Sequence, residues 1–211
     1  MAEITTMFWD IGGVLLSNGW DRDLRRQAVE HFGLDWEEFE DRHELVAGAF
    51  DAGRITLEEY LNRTVFYRSR NFSKADFREF MFSHVTSNPD TLSLLGEVAR
   101  TRKYLLAALN NESLELNLYR IERFGLRQYF TVFFSSCFLG LRKPDEAIYR
   151  TALYITQRDH SQCVLIDDRA INLECASLLG MHAIHYQSAA QLREELRKLG
   201  VDLASPTKNP G

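Results

Sequence analysis

Residues 4–16, ITTMFWDIGGVLL, end an apolar run on one carboxylate, Asp10, and follow it after Ile11 with Gly12 and Gly13. A carboxylate at the end of a buried strand can serve as a nucleophile or metal ligand, or it can simply cap a turn. Three further polar sets stand far along the chain, each behind a short apolar run. They are Asn110-Asn111-Glu112-Ser113, Leu141-Arg142-Lys143-Pro144 and Asp167-Asp168-Arg169. If the runs are parallel strands, all four sets gather at one edge of the sheet. They would place a carboxylate nucleophile, amide donors, a lysine and a carboxylate pair in one pocket. Adjacent carboxylates at a strand end repel unless a cation stands between them, which points to a metal.

The elements needed to position these groups are legible. Ile4–Trp9 is short, β-branched or aromatic and closed by a glycine turn, so it reads as a buried strand. The two glycines let the backbone turn sharply and come close to a ligand. From Asn88-Pro89 onward helix and strand alternate, with strands at 104–109, 132–135, 163–166 and 182–186 and helices between them and after the last. Such βαβ repetition demands a parallel sheet with right-handed crossovers, the α/β class with helices on both faces.

Residues 18–86 show helical spacing throughout. Helices are expected over 23–32 and 35–50, from a Thr56–Glu59 capping box through Phe66, and after a Ser73 cap, enough for a small helical bundle. The division is thus a core of 1–17 and 87–204, a helical insertion of 18–86, and a loose tail of 205–211 with Pro and Gly but no apolar content.

In this order, and over nearly the whole chain, the motifs resemble those of the haloacid dehalogenase superfamily. DIGGVLL is similar to its first motif, ALNNES to its second, the lysine of LRKPDEAIY to its third and LIDDRAINLECASLLGM to its fourth. The resemblance implies a Rossmann-like core, a helical cap that closes over Asp10 and selects the substrate, and most often a phosphatase that passes through an aspartyl-phosphate. On that footing Asp10 is the nucleophile and Lys143 neutralises it and the phosphate oxygens. Gly12, Gly13, Asn110, Asn111 and Lys143 contact the substrate, a small phosphorylated metabolite such as a sugar phosphate. Mg²⁺ is held by Asp10, the Gly12 carbonyl and Asp168, with Asp167 as an outer or water-mediated partner and Asn172 orienting the pair.

Two positions depart from the family pattern. A second Asp, the usual general acid and base, is here Gly12, and a Ser or Thr of the second motif is here Asn110. An amide still donates two hydrogen bonds. The missing acid is the larger change, since general acid–base catalysis contributes roughly 10²–10⁴-fold. Two alternatives to phosphatase chemistry therefore stand: 2-haloacid dehalogenation on the same scaffold, and a degenerate phospho-ligand binder without turnover. Residues of the insertion and its hinge, among them His43, Asp51, Asn18 and Asp21, are candidates for lying near the leaving group.

Composition bounds the rest. With 211 residues and a formal charge of −5, the chain has no general electrostatic drive toward nucleic acid or an anionic membrane. Cys137, Cys163 and Cys175 match no zinc spacing and read as buried thiols. The apolar runs are far shorter than the roughly 20 residues of a membrane span, and Met1-Ala2-Glu3 does not begin a signal peptide. The expectation is a cytoplasmic enzyme, monomeric or homodimeric, with neither nucleic acid nor membrane as partner.

Overall fold

The computed structural model describes residues 2–204; the tail expected at 205–211 lies outside the described residues. Strands β1 (Thr6–Trp9), β2 (Leu105–Asn110), β3 (Val132–Ser135), β4 (Cys163–Asp167) and β5 (His182–His185) form one sheet in the order β3-β2-β1-β4-β5. Every neighbouring pair is parallel. β1 is shorter than the apolar run that announces it, because its pairing with β2 and β4 begins at Thr6.

The insertion contributes α1 (Arg22–Phe32), α2 (Trp36–Asp51), α3 (Leu57–Thr64) and α4 (Lys74–Ser83). The remaining helices are α5 (Pro89–Thr101), α6 (Leu114–Arg123), the short α7 (Ser136–Leu139), α8 (Glu146–Thr156), α9 (Ala170–Leu178) and α10 (Ala189–Lys198). Successive strand residues point to opposite faces, so β1 sends Met7 and Trp9 one way and Phe8 the other. Met7 and Trp9 meet Leu94 and Val98 of α5, Leu116 of α6 and Leu192 of α10 in one buried cluster. Phe8 meets Ile148 of α8 and Leu173 and Ala176 of α9 in another. Both faces of the sheet are covered, which is why its strands are near-continuous apolar runs. No helix among the described residues is long and apolar enough to cross a membrane.

Side-chain caps start the helices of the insertion, the first of them at Arg22, one residue before the start its periodicity marks. Asp21, Asp35, Thr56 and Ser73 each accept a backbone N–H in the first turn, and Thr56 with Glu59 completes its capping box. α3 stops at Thr64 rather than reaching Phe66, because the N–H groups of Val65 and Phe66 both turn back onto the Leu61 carbonyl. The insertion leaves and rejoins the core through a paired hinge: Ser17 N–H donates to the Thr86 carbonyl at 2.8 Å, and Asn88 N–H to that of Leu15 at 2.8 Å. Of the three cysteines Cys163 is buried, whereas Cys137 and Cys175 are partly exposed; all are free thiols.

A buried relay fastens the insertion internally. Trp20 Nε1 donates to the Tyr60 hydroxyl at 2.6 Å, and that hydroxyl lies 2.8 Å from His43 Nδ1, so the neutral imidazole accepts there. Burial, with help from Arg25, lowers His43 to about 4. The unfolded chain then binds the extra proton first, so stability present above pH 6.5 is lost as the pH falls toward 4. The loss should amount to about 2 kcal/mol after discounting for the part of the ring that water reaches. His43→Gln, which keeps an acceptor but does not titrate, should show a correspondingly smaller fall in urea midpoint between pH 7.5 and 4.5.

Candidate active site

Asp10 emerges where the strand order reverses, with β2 and β3 laid on one side of β1 and β4 and β5 on the other. Crevices at such switch points, beyond the carboxyl ends of the strands, are where open α/β sheets bind ligands. The Asp10 N–H continues the ladder to the Ile166 carbonyl at 2.9 Å, which fixes the carboxylate between β1 and β4. Asp10 is 7% exposed; its Oδ1 accepts from Ile11 N–H at 2.7 Å and its Oδ2 lies 3.0 Å from Lys143 Nζ.

Lys143 is 2% exposed, and its ammonium also lies 2.6 Å from Asp167 Oδ2. The loop that carries it is pinned by Asn111, whose Nδ2 donates to the Lys143 carbonyl and whose Oδ1 accepts from the Lys143 N–H, both at 2.8 Å. Neighbouring Arg142 instead lies partly exposed, 3.8 Å from Asp51. The chain turns at this point, Asp145 N–H donating to the Arg142 carbonyl at 2.9 Å, and the two side chains leave it in different directions.

Side-chain alternation also separates the two acidic residues at the end of β4, Asp167 being its last residue and Asp168 the one that follows. Asp167 is fully buried, and its oxygens are taken by Lys143, by the Asn172 amide at 2.9 and 3.1 Å and by Arg169 N–H at 2.9 Å. Asp168, one residue further, is partly exposed and faces the cavity, over Gly13. A Cβ on Gly13 would lie 2.1 Å from Asp168 Oδ2, and its φ of +72° is one that other residues adopt only with strain. Asp168 presses against the backbone of the first motif, and only glycine permits it.

Ligand oxygens of Asp10, Asp167 and Asp168 lie within 4.8 Å of one another. Burial raises Asp10 to about 7 against the pull of Lys143, with Asp167 and Asp168 adding to the rise. Asp168 is raised too, by burial and by Asp167. Lys143 is penalised by burial, but Asp10 and Asp167 outweigh this and keep it above the usual lysine value. Three carboxylates against the Lys143 ammonium and the exposed Arg169 guanidinium still leave negative charge uncompensated, and the donors are all oxygen. That fits a hard divalent cation such as Mg²⁺.

A cavity of about 100 Å³ opens here, the share of roughly three liquid waters. Asp10, Gly12, Asn111, Lys143 and Asp168, all expected at the site, line it. Asn110 stands apart from these residues. It is 1% exposed and does not line the cavity, because its Nδ2 donates to Asn117 at 3.0 Å and its Oδ1 accepts from Ser135 at 2.8 Å. It braces β2 against β3 and α6, and the adjacent Asn111 faces the cavity. Asp167 likewise supports Lys143 with every oxygen engaged. A larger groove of about 550 Å³ along Leu173, Ser177 and Leu178 lies on α9, with neither Asp10 nor Lys143 in its lining.

Residues to which the sequence reading gave no role also stand in or beside the cavity. Arg120, from α6, lines it, and its guanidinium is 2.7 Å from the buried carboxylate of Glu112. One signal was available: Leu116, Asn117, Arg120 and Ile121 share the buried face of α6, and an arginine on an apolar stripe asks for a partner. From the insertion and hinge, Asn18 reaches the cavity, whereas His43 and Asp51 do not line it. The α2–α3 turn rests on the core instead: Ser136 Oγ donates to the Asp51 carbonyl at 2.6 Å, and Gly53 packs so closely on Cys137 that a Cβ would lie 2.3 Å from its carbonyl oxygen. Burial, and then Glu112, raise the Asp51 carboxyl to about 6.

The family model for haloacid dehalogenase-like hydrolases matches residues 4–180. Flavin mononucleotide hydrolase 1 of Arabidopsis thaliana is 29% identical over 176 residues, spanning 83% of this chain and 71% of that protein. A HAD family enzyme of Bacteroides thetaiotaomicron, solved in complex with magnesium and inorganic phosphate, superimposes with a TM-score of 0.75 at 21% identity, over 88% of this chain and 95% of that one. An L-2-haloacid dehalogenase superimposes with a TM-score of 0.62 at 18% identity, over 92% and 99% of the two chains. At such identities the solved structures share the fold.

Proposed function

The chain belongs to the haloacid dehalogenase-like hydrolases, and from that premise we propose that it is a Mg²⁺-dependent phosphatase of a small phosphomonoester, working through an aspartyl-phosphate on Asp10. The observation that carries this reading is the cluster of Asp10, Asp167 and Asp168 beside one buried ammonium. A nucleophile alone would need no such accumulation of negative charge. The flavin mononucleotide hydrolase of Arabidopsis and the magnesium- and phosphate-bound Bacteroides enzyme support it.

Asp10 and Asp168, with the Gly12 carbonyl, would hold the metal, which when bound supplies positive charge to the phosphoryl oxygens. This chain's own groups do the rest. Asp10 Oδ2, held at 3.0 Å by Lys143, attacks phosphorus, and the ammonium balances the charge that spreads over the equatorial oxygens. Asn111 fixes the Lys143 loop and leaves Asp167 to hold the ammonium in line. The 100 Å³ cavity takes a phosphoryl group, so the organic part of the substrate must extend out of it, past Asn18 toward the hinge.

The test is initial-rate hydrolysis of p-nitrophenyl phosphate and a phosphomonoester panel. Turnover with Mg²⁺ that EDTA removes, and that added Mg²⁺ restores, is the expected result; chloride release from a 2-haloacid without turnover of any phosphate ester would overturn it. Gly13→Ala should lower Mg²⁺ affinity by roughly 10–100-fold, as displaced support of a ligand does, by forcing Asp168 aside. The strained φ adds about 1–2 kcal/mol of destabilisation. Calorimetric Mg²⁺ titration and thermal melts separate the two effects.

A further inference from the structure

The cavity beside Asp10 is rich in hydrogen-bond donors, yet no described side chain lining it is free to give up a proton. Asp10 is the nucleophile, Asp168 faces the metal position, and Lys143 is committed to two carboxylates. What remains are the amides of Asn18, Asn111 and Asn172 and the guanidinium groups of Arg120 and Arg169. Neither group type can act as an acid near neutrality.

Gly12 leaves a space in that lining. A Cβ there would lie 3.7 and 3.8 Å from the two terminal nitrogens of Arg120 and 3.4 Å from Asn18 Oδ1, so the edge of the guanidinium looks onto it. Arg120 is 1% exposed and held on two sides: Nη1 donates to Glu112 Oε2 at 2.7 Å and Nη2 to the Ser17 carbonyl at 2.5 Å. Each terminal nitrogen carries two N–H groups, so each keeps one beyond these bonds. Glu112 is itself fixed by Ser113, and Gly19 makes room for it, since a Cβ there would lie 2.0 Å from Glu112 Oε2. The fork is therefore set before substrate arrives, as electrostatic stabilisation requires.

We propose that Arg120 receives the leaving oxygen in the space at Gly12, and that the enzyme is thereby selective for phosphomonoesters with acidic leaving groups: phosphates of phenols, enols and carboxylic acids. This rests on the phosphatase reading. As Asp10 forms its bond to phosphorus, the P–O bond to the leaving group breaks and the electron pair stays on that oxygen. The departing anion is held by Arg120 and leaves as the anion, its charge already stable without an acid in the site. A water then attacks phosphorus in the aspartyl-phosphate, breaking the bond between phosphorus and the Asp10 oxygen, releasing inorganic phosphate and regenerating the Asp10 carboxylate. The proton that water loses passes to solvent, where it protonates the released anion only if that anion is basic enough to take it.

The experiment is kcat/KM with Mg²⁺ over aryl phosphates graded in leaving-group pKa, extended to an alkyl phosphate. For wild type the value should fall steeply, by roughly 10²–10⁴-fold from the best aryl ester to the alkyl ester, the range that a missing general acid accounts for. Arg120→Met, paired with Glu112→Gln so that no carboxylate is orphaned, should steepen the slope, losing about tenfold with the best leaving group and far more with the worst. Gly12→Ala puts a methyl between Arg120 and the space without a positive φ or a contact under 3.4 Å, so it should fold and also steepen the slope. A flat wild-type slope, or parallel lines for wild type and both variants, overturns this role for Arg120 while leaving the phosphatase reading intact. Absence of turnover across the whole series overturns both.

Discussion

Asp10→Asn is expected to lose phosphomonoester hydrolysis by roughly 10⁴-fold or more, because an amide of the same shape cannot form the covalent intermediate and removing a nucleophile costs on that scale. The same variant should be more stable than wild type in EDTA at pH 8. Burial raises Asp10 from 3.8 to about 7, so between those values the folded chain holds a proton that the unfolded chain has released. Stability then falls as the pH rises through that window, and ionised Asp10 weighs against the fold by something on the order of 3 kcal/mol. The asparagine carries no such burden. Mg²⁺ should stabilise wild type strongly and the variant little, since one of the three clustered carboxylates is gone. Urea midpoints at pH 5 and 8, each with EDTA and with Mg²⁺, check all of this. An inactive variant less stable than wild type at pH 8 would contradict the charge assignment.

Lys143→Met should be damaging in both respects. Among the described residues the ammonium is the one cation paired with Asp10, at 3.0 Å, and with Asp167, at 2.6 Å, and both carboxylates are buried. Removing one partner of a buried pair leaves uncompensated charge and costs about 3–5 kcal/mol. The cost should shrink when the pH is lowered to 5, as Asp10 takes up a proton, and when Mg²⁺ is added. Activity should fall by roughly 10²–10³-fold, the scale for losing a preorganised electrostatic group. The stability difference between pH 5 and pH 8 is the measurement that distinguishes loss of this charge from a simple packing defect.

How much of this was legible in the sequence follows from the range of the forces involved. Ile4–Trp9 is apolar because both faces of its strand are covered, and Asn88-Pro89, Thr56–Glu59 and Ser73 start helices through their own first-turn chemistry. All of these are local and can be read locally. Parallel strands joined by right-handed crossovers must then bring their carboxyl ends together, so Asp10, Asn111, Lys143 and Asp168 meet in one cavity. The family resemblance carried by those motifs was legible for the same reason.

Which of two adjacent polar residues faces that cavity was decided only by tertiary structure. A strand turns its side chains alternately, and the register between β2 and β3 sends Asn110 to Ser135 while Asn111 turns to the Lys143 loop. The same parity buries Asp167 against Lys143 and gives Asp168 the cavity. Arg120 and Glu112 were further out of reach. Their place beside Gly12 depends on how α6 rolls onto the sheet and on the close approach that Gly19 allows; the spacing along α6 marks Arg120 as buried but not what it faces. Sequence thus determined the elements, the family and the strand-end chemistry, because these are set by local pattern and by topology. Tertiary packing decided which polar groups are turned into the cavity and which brace it, because burial demands that each find a partner and only the folded arrangement fixes which partner is near.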